Sequence, residues 1–132
     1  MIKSNAEGYS YQVVKDLGFE FEKNGGGAGL FPQNGNFFFN WRPNFLKNKK
    51  NLEIDFFLVG KTGKTLAVEV QGDQHRQPAQ QQKDALKRDL LREKGITLLE
   101  FWPSSYDGDE DAKAALSRMI INELGNDIPD YM

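Results

Sequence analysis

The chain has 132 residues, 39% of them hydrophobic and 27% charged, no cysteine, and a formal net charge of -2. That length suits one domain, residues 1–132, with a single adequate core. The lack of cysteine excludes disulfides and thiolate zinc sites, no apolar run approaches a membrane span, and no signal-peptide pattern opens the chain, so a soluble, cytoplasmic protein is expected.

The small net charge hides an asymmetry. Residues 107–132 carry seven acids against Lys113 and Arg118, a balance of -5, which leaves +3 on residues 1–106. Arg42, Lys47, Lys49 and Lys50 cluster in residues 42–51 with no acid among them. A local basic patch for a polyanion is compatible with the low overall pI.

In chain order, residues 4–17 read as a first helix, capped by Ser4 or Asn5 and stopped by Gly18. Tyr11, Val14 and Leu17 fall at helical spacing and are expected to face the core. Glu7 lies one turn before Tyr11; its plainest role is to complement the helix dipole. Residues 19–23 suit a short strand. Residues 24–29, NGGGAG, lack the ending of a phosphate loop and read as a connection.

Residues 30–45 are dense in aromatics. After the Asn34-Gly35 turn, residues 37–41 suit a strand in which Phe37 and Phe39 fill the core. Trp41 and Phe45, beside the basic cluster, are the better candidates to stack on bases while Arg42, Lys47, Lys49 and Lys50 meet phosphates.

Residues 52–71 read as a hairpin, with strands over 52–59 and 65–71 joined by a turn at 60–64. Residues 79–94 then form a helix ended by Gly95, with Leu86 and Leu90 marking its core side. Asp84, Arg88 and Leu91 share another side, and Asp84 four residues before Arg88 is an ordinary favourable pair. Residues 96–102 read as a buried strand, and residues 110–124 as a last helix with Leu116, Met119, Ile120 and Leu124 on one face. Residues 126–132 are expected to be a loose tail. The order predicts an α/β fold: a mixed central sheet flanked by helices, with an αβββαβ core and a C-terminal helix.

The chemistry concentrates in the hairpin. Asp55 and Glu69 are acids inside strands, where acids are depleted and seldom buried without a partner. They are fourteen residues apart around a turn near Thr62, which sets them about level and able to face the same side. Gln71 projects on that side too, and His75, the only histidine, follows a short exit. Two carboxylates at ~4 Å repel by on the order of 4 kcal/mol at intermediate dielectric unless a cation or proton separates them. An oxygen-rich group of this kind suits Mg2+ or Mn2+, which can activate water and hold a phosphoryl oxygen. A nucleophilic triad is poorly supported, with no cysteine and no serine in a nucleophile-elbow context.

The set Asp55, Glu69-Val70-Gln71-Gly72-Asp73-Gln74-His75, Lys83-Asp84-Ala85-Leu86-Lys87-Arg88 and Leu91-Arg92-Glu93-Lys94-Gly95 resembles the PD-(D/E)XK nuclease superfamily. Within it the chain is most similar to very-short-patch-repair-like endonucleases and the homing-endonuclease variant with an E-D-x-H-D constellation. The resemblance spans about residues 52–103, with a weaker echo at Glu7. It implies a restriction-endonuclease-like fold and a metal-dependent DNA endonuclease of a bacterial or phage-infected cell. Asp55, Glu69 and Glu7 would then bind Mg2+ or Mn2+, with His75 and Asp84 in proton transfer or phosphate positioning and Gln71 completing the catalytic set. Lys83 and Arg88 would join the DNA contacts. The implied partner is double-stranded or branched DNA, with a homodimer or a further recognition domain where both strands are cut.

The chain departs from this pattern at Gln71, where the superfamily usually has lysine. An amide can orient water or bind a cation through oxygen but supplies no charge; Lys83, Lys61 or His75 are the available substitutes. The departure also supports a rival reading, a non-catalytic nucleic-acid-binding or assembly module that keeps the nuclease fold. A metal hydrolase of small molecules, which would need a closed pocket, is the third.

Overall fold

The computed structural model describes residues 5–22, 32, 34–41, 53–72 and 78–130. The expected connection at 24–29, Phe45, the basic cluster Arg42, Lys47, Lys49 and Lys50, and His75 lie outside the described residues. No helix among the described residues is long and apolar enough to cross a membrane.

Helix α1 (Asn5–Asp16) is followed by strands β1 (Glu20–Phe21), β2 (Asn36–Trp41), β3 (Ile54–Val59) and β4 (Thr65–Val70). Helix α2 (Pro78–Glu93), strand β5 (Thr97–Phe101) and helix α3 (Asp109–Leu124) complete the order. The strands form one mixed sheet in the order β1-β2-β3-β4-β5. β2, β3 and β4 are antiparallel neighbours, whereas β1 runs parallel to β2 and β5 parallel to β4. A parallel neighbour needs a crossover, and α2 provides it between β4 and β5. The α/β class with a mixed sheet flanked by helices is thus as the element order predicts.

Side chains alternate over residues 56–59 and 66–68, and the sheet has two dry faces. On one, Phe37, Phe56, Leu58, Leu66, Val68 and Phe101 pack with Val13 and Val14 of α1 and Leu116, Ile120 and Leu124 of α3. On the other, Phe38, Phe57, Val59 and Ala67 pack with Leu91 of α2 and Ile96. β3 is buried along its whole length because helices cover both faces.

Three expectations are corrected. Trp41 is only 1% exposed. Its ring stacks on Phe57 with centroids 3.9 Å apart, so it fills the α2-side core and is closed to a base. In α2 the residues that turn inward are Asp84, Lys87 and Leu91, while Leu86 is exposed and Leu90 only half-buried. The i, i+3, i+7 spacing of the buried trio defines that side, and Lys87 is admitted because the sheet below carries an acid to pair with it.

The third correction concerns the C-terminal segment. Ile128 is buried in the core, and Asp127 fastens the β3–β4 turn. The Thr62 N–H and hydroxyl both donate to Asp127 Oδ1, and the Lys64 N–H donates to Oδ2 at 3.0 Å. The Lys61 N–H donates to the Asp127 carbonyl at 2.8 Å. Gly60 is required at the start of this turn, since a Cβ there would collide with the Asp127 carboxylate. Residues 126–130 are therefore anchored.

Burial alone would raise the Asp127 pKa, but the Thr62 and Lys64 donors and the Lys64 charge outweigh it and hold it below the ordinary value. A lowered carboxyl contributes stability above its unfolded pKa and loses it as pH falls through the folded one. Asp127→Ala should lower stability at pH 7 by roughly 3 kcal/mol in urea denaturation, given three donors to a charged acceptor. The gap to the unsubstituted chain should narrow below about pH 4.

Candidate active site

Strand pairing puts the two hairpin acids face to face. Phe56 stands opposite Val68 in the β3–β4 ladder, so the next step outward pairs Asp55 with Glu69. Directly opposed residues share a face, here the α2 side. The sequence expectation of level carboxylates on one side describes this arrangement. Asp55 Oδ2 accepts a hydrogen bond from the Val70 N–H at 2.8 Å, which fixes that carboxyl beside Glu69.

The row continues across the sheet. Glu69 neighbours Glu100 in the parallel β4–β5 register. On the other flank Asn40, at φ 55, stands across from Asp55 between the Phe39–Phe56 and Trp41–Ile54 pairs. Asparagine tolerates this left-handed conformation better than most residues. Three acids on adjacent strands would be prohibitive under an apolar helix. Helix α2 instead lowers two cations onto them.

Lys87 Nζ lies 2.8 Å from Glu69 Oε1, and both side chains are almost fully buried. Arg88 gives Nε and Nη2 to Glu100 Oε1, each at 2.8 Å, at a more exposed position. The buried group Asp55, Glu69 and Lys87 thus contains two acids and one base. Burial raises the Asp55 pKa, against the Val70 N–H bond that lowers it. Burial, then the facing Asp55 charge, push Glu69 well above the ordinary value despite Lys87. Desolvation disfavours each carboxylate and the pair disfavours double ionisation.

Gln71 ends the row at the tip of β4. Its N–H donates to the Phe101 carbonyl at 2.7 Å, and its Nε2 donates to Glu100 Oε2 at 3.1 Å. The residue is 3% exposed, and its buried Oε1 has no hydrogen-bond partner among the described residues. A buried acceptor left unmade costs about 1–3 kcal/mol. It is the kind of atom that a water or cation would satisfy.

Of the residues singled out in the sequence, Asp55, Glu69, Gln71 and Asp84 come to the α2 side of the sheet. Asp84 is buried one turn before Lys87. Glu7 is buried in the first turn of α1, the helix that covers the opposite face. Among the described residues no group of three or more His, Cys, Asp or Glu is placed to hold a metal ion. Lys61 and Lys83, suggested as substitutes for the lysine of the superfamily pattern, are exposed. Arg88 is hydrogen-bonded to Glu100, and the charge of Asp84, four residues earlier, also acts on it.

Two residues were not singled out. Lys87 could have been found from its spacing, three after Asp84 and four before Leu91. Glu100 is signalled by an acid in the otherwise apolar strand TLLEF.

For a hard divalent cation the donor chemistry fits: two carboxylates that repel and an amide oxygen lacking a partner. Asp55, Glu69 and Gln71 are the residues that would hold it.

The chain belongs to the family described as "Protein of unknown function (DUF2726)", whose profile matches residues 40–119. The matched span contains Asp55, Glu69, Gln71, Asp84, Lys87, Arg88 and Glu100 and excludes Glu7. No curated protein and no solved structure matches the chain.

The excess buried negative charge has a measurable consequence. A carboxyl with a raised folded pKa favours the folded state below that pKa, and stability falls as pH rises from the unfolded to the folded value. Asp55→Asn keeps an acceptor for the Val70 N–H and removes that loss. It should raise the urea midpoint at pH 7 and give no gain near pH 4. Lys87→Met should do the opposite, lowering stability at pH 7 by about 3–5 kcal/mol because Glu69 is left buried without its counter-ion. Acidification should restore part of it as Glu69 takes a proton.

Proposed function

We propose that the protein is a metal-dependent DNA endonuclease of the PD-(D/E)XK type, hydrolysing phosphodiester bonds with Asp55 and Glu69 as its cation-binding carboxylates. The observation that carries this reading is the facing pair itself. Two acids are held opposed in the interior, with raised pKa values and, among the described residues, one buried lysine to offset them. A protein stabilised for packing alone would gain by replacing one of them, so the arrangement is better accounted for by binding.

A bound Mg2+ or Mn2+ supplies a charge that offsets the pair and lowers the pKa of attacking water. The chain's own residues do the rest. The Val70 N–H orients Asp55. Lys87 holds Glu69 in place and keeps a positive charge at the carboxylates, the place that Gln71 cannot fill and that the superfamily pattern gives to lysine. Asp84, buried one turn before Lys87 on the same helix, is the further acid of α2 that would take part in proton transfer or phosphate positioning. Arg42, Lys47, Lys49 and Lys50 supply charge for the DNA backbone, and Lys83, exposed on α2, extends it.

The test is cleavage of supercoiled plasmid and of a branched duplex with Mn2+ and then with EDTA. Nicking with Mn2+ and none with EDTA is expected. Asp55→Ala and Glu69→Ala should each abolish it while the far-ultraviolet circular dichroism spectrum keeps its shape. Gel-shift binding of DNA without cleavage under either condition would favour the non-catalytic module instead. Unchanged cleavage by Asp55→Ala would remove the assignment.

A further inference from the structure

We propose that Glu100, itself held by Arg88, positions the Gln71 amide so that its Oε1 serves as a third oxygen donor, with Asp55 and Glu69, to a divalent cation. This rests on the cation-binding reading above and deepens it.

A glutamine amide has two nearly isosteric ends, and only its partners decide which end faces which way. The Glu100 carboxylate can only accept, so the end it meets at 3.1 Å must be the Nε2 donor. The oxygen is thereby turned the other way, into protein where it has no partner among the described residues. Glu100 could swing on its own, but Arg88 fastens its other oxygen with two donors at 2.8 Å. The three side chains come from three elements: α2, β5 and the tip of β4. The backbone of Gln71 is pinned separately through Phe101. The amide nitrogen is thus held by Glu100 and the backbone by Phe101, which leaves the buried oxygen on the same strand face as Glu69. Groups behind a ligand commonly set its orientation in this way, and their loss weakens binding.

The arrangement gives Arg88 and Glu100 a role that plain electrostatics would not. If they acted only through charge, Arg88→Ala would remove a cation near the site and tighten divalent binding, whereas Glu100→Ala would weaken it. Positioning predicts that both weaken it, because both free the amide to turn.

The experiment titrates the full chain with Mn2+ alone by isothermal calorimetry, with thermal unfolding as a second readout. The unsubstituted protein should bind, and Gln71→Leu, Glu100→Ala and Arg88→Ala should each weaken Kd by roughly tenfold or more. The double variant Gln71→Leu/Glu100→Ala should be no weaker than Gln71→Leu, since Glu100 acts through Gln71. Arg92→Ala, the same loss of charge at an exposed position paired to Asp89, should leave Kd within about twofold, the change that a group outside the network produces. Arg88 is half-exposed, so its variant keeps the test open if Glu100→Ala fails to fold. Tighter Mn2+ binding by Arg88→Ala, or additive losses in the double variant, would overturn this proposal alone. No Mn2+ binding by the unsubstituted protein would overturn it together with the cation-binding reading. Binding as expected without DNA cleavage would leave it standing and remove only the nuclease reading.

Discussion

The opposition of Asp55 and Glu69 across β3 and β4 constrains most of what surrounds it. Two carboxyls in the dry interior of a sheet cannot both ionise cheaply. The helix that covers them cannot be apolar along its inner side. Lys87 enters the interior to meet Glu69, Asp84 comes in one turn before it, and Leu91 is the residue that seals the far end. One position on, Arg88 meets the third acid of the row at the more open side. The charge on α2 is distributed to match the charge on the strands beneath it, and the surplus remains on the buried pair.

That pair is held from the other directions as well. Its hairpin is closed by Asp127, sixty-five positions from Thr62 in sequence, so the C-terminal segment braces the turn of the very strands that carry the acids. The stack of Trp41 on Phe57 and the burial of β3 on both faces fix the same strands laterally. An aromatic stack adds about 0.5–1.5 kcal/mol beyond area burial. A rigid backing of this kind is what an unfavourable charge arrangement needs if it is to persist.

Much of the frame was legible in the sequence because local signals agreed there. The Gly60–Gly63 turn set the register that brings Asp55 level with Glu69, and glycines after each helix marked the ends. On the inner side of α2, hydrophobicity alone favours Leu86 and Leu90, whereas Lys87 is inward because it meets Glu69, an acid that a single-helix pattern does not contain. The sequence neighbours of Trp41 point it to DNA, whereas its neighbour in space is Phe57. The composition of the tail suggests looseness, but the Thr62 and Lys64 donors that anchor Asp127 come from far along the chain. In each case the missing information was tertiary contact.

The central claim is that Asp55 and Glu69 form a strained pair which a divalent cation relieves. It is tested most directly by following the side-chain carboxyl carbons of both residues by NMR across pH, without and with Mg2+. The account predicts titration midpoints above the usual carboxylate range in the absence of Mg2+ and a shift of both to lower pH when it is added. Midpoints at ordinary values, or raised midpoints that Mg2+ leaves in place, would contradict it.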